Sequence, residues 1–365
     1  MTLKTAKCKP VQATAQSRQA IIEAPHLPFS RMPFNLGAYA SVPDFIDGIT
    51  REIWQDRGIG AKLQRYYAAD IVLRAATGLT SSCAGVVAQT LQTLHQFPDR
   101  QLVSEDVIWA GIDERTFLSS HRLTSVMRHT GDGSLGLASG RQVRSRIIAE
   151  CCVQDGVVVE EWLVRDQAAF ARCLGLAPRD LAGTMVEREL EMGRPVSFFL
   201  PQHDLPSRVP AEVQDDATVH AVVAGLQRLW GGKETAVIRE LYFHGASLHA
   251  PGGTQHFGHG DIDTFVLGYL ASFPDAEYTV HSARINRDPE RPARIALRWS
   301  LSGTHAGHGH FGEPTGAAVY IMGMSHLDVT QGRVMAEYLV TDEVAVWKQI
   351  HAHRLAGPPA ARAAA

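Results

Sequence analysis

No apolar run in these 365 residues approaches the roughly 18–20 that a membrane-spanning helix needs, so no membrane partner is expected. Neither charge sign is in excess. Lys and Arg number 35 against 38 Asp and Glu, a formal net charge of −3, and nothing in that balance is a nucleic-acid footprint. Cysteine is sparse: Cys8, Cys83, Cys151, Cys152 and Cys173 are odd in number and show no C-x-x-C spacing. Reduced thiols in a cytoplasmic setting are the expectation. The opening MTLKTAKCKPVQATAQSRQA is basic but has no apolar h-region, so it reads as a disordered extension rather than a secretory signal. What remains is a globular composition, 45% hydrophobic and 20% charged, in a chain long enough for two cores.

Sliding the sequence on itself by 176 positions brings out a repeat. Trp54 meets Trp230, Tyr66 meets Tyr242, and FPD at 97–99 meets FPD at 273–275. Gly131, Gly133, Gly136 and Gly140 meet Gly307, Gly309, Gly312 and Gly316, and EEWLVRD at 160–166 meets AEYLVTD at 336–342. No gap is required from Trp54 to Asp166, which implies a duplicated domain. The expected division is an N-terminal extension at 1–43, a first domain at 44–176, a linker at 177–215, a second domain at 216–354 and a frayed tail at 355–365. Proline at 178, 195, 201, 206 and 210 marks the linker, which a short helix, MVERELEM, interrupts.

Each copy has one grammar. In the second, TVHAVVAGLQRLW and ETAVIRELYF read as helices, SLHAP as a short strand and DIDTFVLGYLASF as a helix opened by Asp and stopped before Pro274. Four strands follow, AEYTVHSARI, RIALRWSLSGT, AVYIMGMSHLDV and RVMAEYLV, then a closing helix, DEVAVWKQIH. Helices followed by a run of antiparallel strands give an α+β class.

LWGGKETAVIRELY, SLHAPGG, GYLASFPDAEYTV, IALRWSLSGTHAG and GRVMAEYLVTD, over about 217–350, resemble the SnoaL-like polyketide cyclases, within the cone-shaped fold of nuclear transport factor 2 and its relatives. The first copy keeps LHQFPD and GVVVEEWLVRD and less between them. The resemblance implies two tandem cone-shaped α+β domains. It also implies a cofactor-free acid–base enzyme that closes a ring by aldol chemistry on a small, apolar, polyketide-like carbonyl substrate. Domains of this fold pair sheet to sheet, so an intramolecular pseudo-dimer is expected, with a homo-oligomer left open. The second pocket is expected to be the active one.

Such chemistry needs a carboxylate base of raised pKa in a pocket that folds the substrate. Asp342 stands at the family's acid/base position. Side-chain alternation puts Tyr338, Val340 and Asp342 on one face of the last strand. If that face is concave, Asp342 sits against an aromatic wall; the plain alternative is an N-cap for the closing helix. His326, in phase with Met324, is a candidate to share proton transfer, or a satisfied histidine on a sheet face. Asp166 is the first copy's base candidate, and Glu150 beside it would form a carboxylate pair or face solvent. Arg298 reads as an oxyanion binder or a structural ion pair, and His249 as a pocket-floor residue where the first copy has Leu73. His305, Tyr338, Met324 and Trp162 complete the substrate-binding candidates. The run THAGHGHFG lacks supporting acidic or thiol ligands apart from Glu313, so no metal site is assigned and no cofactor is expected. The competing class is a non-catalytic small-molecule binder; a hydrolase or dehydratase using the same pocket is a further alternative.

Overall fold

The computed structural model describes residues 34, 36–204, 207 and 212–356. The expected extension lies outside these up to residue 33, as do part of the expected linker and the tail from 357.

Local chemistry starts the helices. Ser41 caps α1 (Val42–Thr50) by accepting from Asp44 N, with Pro43 in the first turn. Ser82 caps α3 (Cys83–Gln96) through Gly85 N, after α2 (Ile59–Tyr66). In the second half Asp216 accepts from Thr218 N and Val219 N to open α6 (Ala217–Leu226). The short α7 (Ile238–Leu241) leads into the sheet. The helix α8 (Gly258–Ser272) begins three residues before the expected Asp261, which reaches back to Phe257 N.

The first sheet comprises β1 (Tyr67–Ala75), β2 (Gly78–Thr80), β3 (Gln101–Gly111), β4 (Thr116–Arg128), β5 (Gln142–Gln154) and β6 (Val157–Arg165), in the order β2-β1-β6-β5-β4-β3. The second comprises β7 (Glu212–Val213), β8 (Tyr242–Ala250), β9 (Thr254–Phe257), β10 (Glu277–Asn286), β11 (Ala293–Thr304), β12 (Ala318–Thr330) and β13 (Arg333–Thr341), in the order β7-β10-β11-β12-β13-β8-β9. The second sheet repeats the first, with β7 added at one edge. In both, the first long strand pairs parallel with the last. Both carry a π-helical turn, at Arg51–Gln55 and Gln227–Gly231, and an isolated Gly–Gly bridge, 133–136 and 309–312. The closing helices are α4 (Gln167–Cys173) and α9 (Glu343–Ala356). Between the domains, α5 (Pro178–Glu191) is a full helix rather than the short MVERELEM segment. Lys348 of α9 holds it through Glu189 at 2.8 Å.

The strand register corrects the gapless repeat. Tyr67 and Arg74 stand opposite Val158 and Trp162, as Tyr242 and His249 stand opposite Val334 and Tyr338. The first copy therefore holds one extra residue before β1. The counterpart of His249 is Arg74, not Leu73, and Tyr242 answers to Tyr67.

Along β5, β6, β12 and β13 one face lines the domain's own core and the other meets the partner sheet. Trp299, Leu297, Leu327 and Leu339 fill the second core, while Met322, Met324 and Val340 pack with Ile148, Trp162 and Val164 across the domain boundary. The two sheets thus face each other, as the sequence led one to expect. Between them lie buried charges. Glu150 accepts from Ser282 Oγ at 2.9 Å and pairs with Arg284 at 3.0 Å and Arg298 at 3.1 Å. Asp106 pairs with Arg294. Buried charges persist only when paired and hydrogen-bonded.

Candidate active site

The cones differ in what fills them. In the second, Trp230, Tyr278 and Trp299 stack with centroids 5.4–6.5 Å apart, with Tyr269 and Phe265 against Trp230. Gly323 makes the room: a Cβ there would meet the Trp299 ring at 2.2 Å. At the duplicate positions of the first domain the side chains shrink. Phe265 becomes Gln89, Tyr269 becomes Thr93, Tyr278 becomes Leu102, Leu301 becomes Ser125 and Ile321 becomes Ser145. Trp299 likewise becomes Leu123, and the loss of four rings and two aliphatic side chains leaves a cavity of about 320 Å³ that all six replacements line. Trp54, Leu123 and Ile147 supply apolar wall, and Leu181 and Met185 of α5 close one end. The size suits a small organic ligand.

Glu161 of β6 projects into this space. It is 4% exposed, and its Oε2 has no hydrogen-bond partner among the described residues. Burial raises its carboxyl to about 7, against the lowering effects of the Tyr67 hydroxyl and the Arg165 cation. Its duplicate, Glu337, is satisfied twice, by Tyr242 Oη at 2.5 Å and Ser325 Oγ at 2.8 Å. The first domain keeps the tyrosine but has Ala149 where Ser325 stands. One carboxylate oxygen is thereby left facing the cavity.

Asp342 reaches the same cavity from the second domain. Its carboxylate accepts from Ala345 N at 2.9 Å as the cap of α9. Burial, and secondarily the charge of Asp166, pushes it up to about 7. Arg165 and Arg100 add two cations to the wall. Burial lowers both; Glu161 and Asp342 partly restore Arg165, whereas Arg165 and Arg57 depress Arg100 further, to about 9. His121 completes the polar set, with Nε2 3.0 Å from Ser104 Oγ and 3.1 Å from Asp47. A buried base beside cations in an apolar cavity can take a proton from carbon and hold the resulting anion.

Residues 220–350 match the family model described as SnoaL-like polyketide cyclase. The second domain is SnoaL-like. Similar solved structures include IdmH of Streptomyces antibioticus, a candidate polyketide cyclase, at 18% identity over 37% of this chain and all of that one, with a TM-score of 0.33. A candidate SnoaL-like cyclase of Jannaschia sp. CCS1 is 20% identical over 42% of this chain and 99% of that one, with a TM-score of 0.31. Bal32a, from a soil-derived mobile gene cassette, is 15% identical over 36% of this chain and 95% of that one, with a TM-score of 0.29. No curated protein matches. Among the described residues no helix is long and apolar enough to cross a membrane. The SnoaL-like domain, which carries the family sequence, packs its cone with Trp230, Tyr278 and Trp299; its duplicate holds the cavity of about 320 Å³.

Most of the residues singled out from sequence lie elsewhere. The face with Tyr338 and Val340 turns to the partner sheet, and Glu337, Leu339 and Thr341 face the core, the reverse of the expected orientation. Both faces of EEWLVRD and AEYLVTD carry apolar and charged residues, so alternation alone could not choose. His326 is buried between the sheets, Nε2 2.8 Å from Ser120 Oγ, and is not brought to Asp342. Burial and then Arg122 hold its pKa well below the usual value. Tyr338 lies between His249, stacked at 4.4 Å, and Arg122, 3.5 Å above the ring. Trp162 donates to Asp204 at 2.7 Å and lies under Arg298. Arg298, Glu150 and Met324 belong to the same interface.

Asp166 is buried and engaged three times, by Ala169 N at 2.9 Å, Gly252 N at 2.8 Å and Gly253 N at 3.0 Å. It caps α4 and ties the first domain to the loop after β8. His305 is buried with Nδ1 3.0 Å from Thr315 Oγ1, and His310 pairs with Glu343 at 2.7 Å, so these two do not converge. Among the described residues no group of three His, Cys, Asp or Glu is arranged for a metal. Sequence reasoning missed Glu161, Tyr67, Arg100 and Arg165. The signal was present in the repeat, as a loss of side-chain volume at six aligned positions around an unchanged glutamate.

Proposed function

We propose that this protein is a cofactor-free acid–base enzyme of the polyketide cyclase kind, acting on a small, largely apolar carbonyl compound in the first domain's cavity. The observation that carries this reading is the free Oε2 of buried Glu161, a carboxyl raised to about 7 and open to a cavity of about 320 Å³. Ionised Glu161 takes a proton from the carbon next to a carbonyl; the C–H electron pair becomes the C=C bond of the enolate and the C=O π pair moves to the oxygen. The enolate carbon attacks a second carbonyl of the same molecule and forms a C–C bond. The new alkoxide recovers the proton from Glu161, so the step balances without a co-reactant. Arg165 faces the developing negative charge. Tyr67 holds the glutamate, and Asp342 adds a second carboxyl at the wall. If the alkoxide is never formed, the same enolisation serves as an isomerisation.

The test uses 2-tetralone, an apolar ketone small enough for the cavity, with exchange of its α protons for deuterium followed by NMR. Removal of a general base costs about 10²–10⁴-fold, so Glu161→Gln should abolish most protein-catalysed exchange. Asp166→Asn should leave it in place in whatever fraction folds. Because the carboxylate is the active form, exchange should rise with pH through about 7. A protein that binds 2-tetralone and never exchanges it would be a binding module.

A further inference from the structure

The two arginines of the cavity have no counterparts in the filled cone. Arg100 stands where the second domain has Ala276, and Arg165 where it has Thr341. Both line the cavity at one end of the sheet, Arg100 just before β3 and Arg165 at the end of β6. Arg165 senses two carboxyl groups, Glu161 and Asp342. Arg100 has a different neighbourhood: the charges that act on it are Arg165 and Arg57, both cations. Arg57 already donates to the carbonyls of Trp54 and Pro98. No hydrogen bond or ion pair reaches the guanidinium of Arg100 or Arg165 from a described residue. The buried arginines between the sheets, by contrast, are paired: Arg284 and Arg298 with Glu150, and Arg294 with Asp106. Arg100 is half-buried, and a cation whose charged neighbours are cations costs stability. A chain that placed one in a cavity while stripping rings from its walls left a seat for something negative.

We propose that the ligand of this cavity carries an anionic group, a carboxylate or its equivalent, seated on Arg100 at one end of an otherwise apolar body. This rests on the cavity assigned above as the reaction site and names the class of molecule it takes. The anion on Arg100 sets the orientation, and the body extends over Trp54, Leu123 and Ile147 toward Glu161. Arg165, between the two ends, is left to face the enolate. A substrate of this kind is a keto acid with an apolar ring or chain, taken in preference to a neutral ketone such as 2-tetralone, which the cavity still admits more weakly.

The experiment compares two carboxylates, 2-naphthoate and octanoate, with their neutral amides by isothermal titration calorimetry on the full chain. Charge-assisted hydrogen bonds of this kind are worth roughly 10–100-fold in affinity. At least one carboxylate should bind that much more tightly than its amide. Arg100→Gln should erase the preference, and Arg100→Lys, which keeps the charge, should retain much of it. Arg100→Gln should also raise the melting temperature of the ligand-free protein, since it removes an unpaired cation, whereas a structural arginine would lower it. Equal binding of acid and amide, no saturable binding of either carboxylate, or a preference that survives Arg100→Gln would each overturn the proposal. None of these bears on Glu161, whose role as base stands or falls on 2-tetralone exchange.

Discussion

Replacing Glu161 by glutamine should change the pH dependence of stability in a way that only a buried, under-satisfied carboxyl can. The folded protein holds this group at about 7, against 4.5 for a free glutamate. Between those values the folded state binds more protons than the unfolded state, so stability falls as pH rises, and the loss is complete above the folded pKa. Full burial means that little solvent screening discounts the effect, and a displacement of this size corresponds to about 3 kcal/mol. Urea denaturation of wild type and Glu161→Gln near pH 5 and at about pH 8.5 isolates it. The stability of wild type relative to the variant should drop by about 3 kcal/mol across that interval. Asp342, also pushed up to about 7, affects both proteins and largely cancels. A difference that stays constant with pH, or that favours wild type more at high pH, would show that Glu161 is ionised and well paired throughout, and the assignment of a free base would fail.

The remaining predictions concern the packing that distinguishes the two cones and the surface that joins them. Trp299→Ala should cost about 3–5 kcal/mol, because Gly323 beneath the ring has no side chain to refill the space; a loss under about 1 kcal/mol in urea denaturation would contradict the filled second cone. Glu150→Gln should cost a similar ~3–5 kcal/mol, since it leaves Arg284 and Arg298 without their carboxylate between the sheets. A neutral result there would mean that the sheets do not bury these charges against each other.

The fold was legible because its signals are periodic and duplicated. Alternation in the strands, glycine at the hairpins and the recurrence of AEYLVTD implied two α+β domains, and the family resemblance implied that their sheets meet. The site was not, for three reasons. The last strand carries apolar and charged residues on both faces, so the inward face could not be told from Tyr338, Val340 and Asp342 alone. The extra residue before β1 hid that Tyr67, not Tyr66, answers to Tyr242, and so the hydroxyl that meets Glu161. Histidine content favoured the second copy, but His326 and His249 serve the interface and His305 a turn. The terminal Asp of each copy caps the closing helix. Asp166 also ties the first domain to Gly252 and Gly253 of the second, while Asp342 borders the first domain's cavity. The proposed function reverses the expected preference for the second pocket, since Trp230, Tyr278 and Trp299 pack that cone.

The central claim is that the first domain carries the working cavity and the SnoaL-like domain is its filled twin. A crystal structure of the full chain soaked in 2-tetralone tests it most directly. The account predicts ligand density bounded by Trp54, Leu123 and Thr93, with the ketone's α carbon beside Glu161 Oε2, and none among Trp230, Tyr278 and Trp299. Ligand beside Glu337 in the second cone, with the first cone empty, would contradict it.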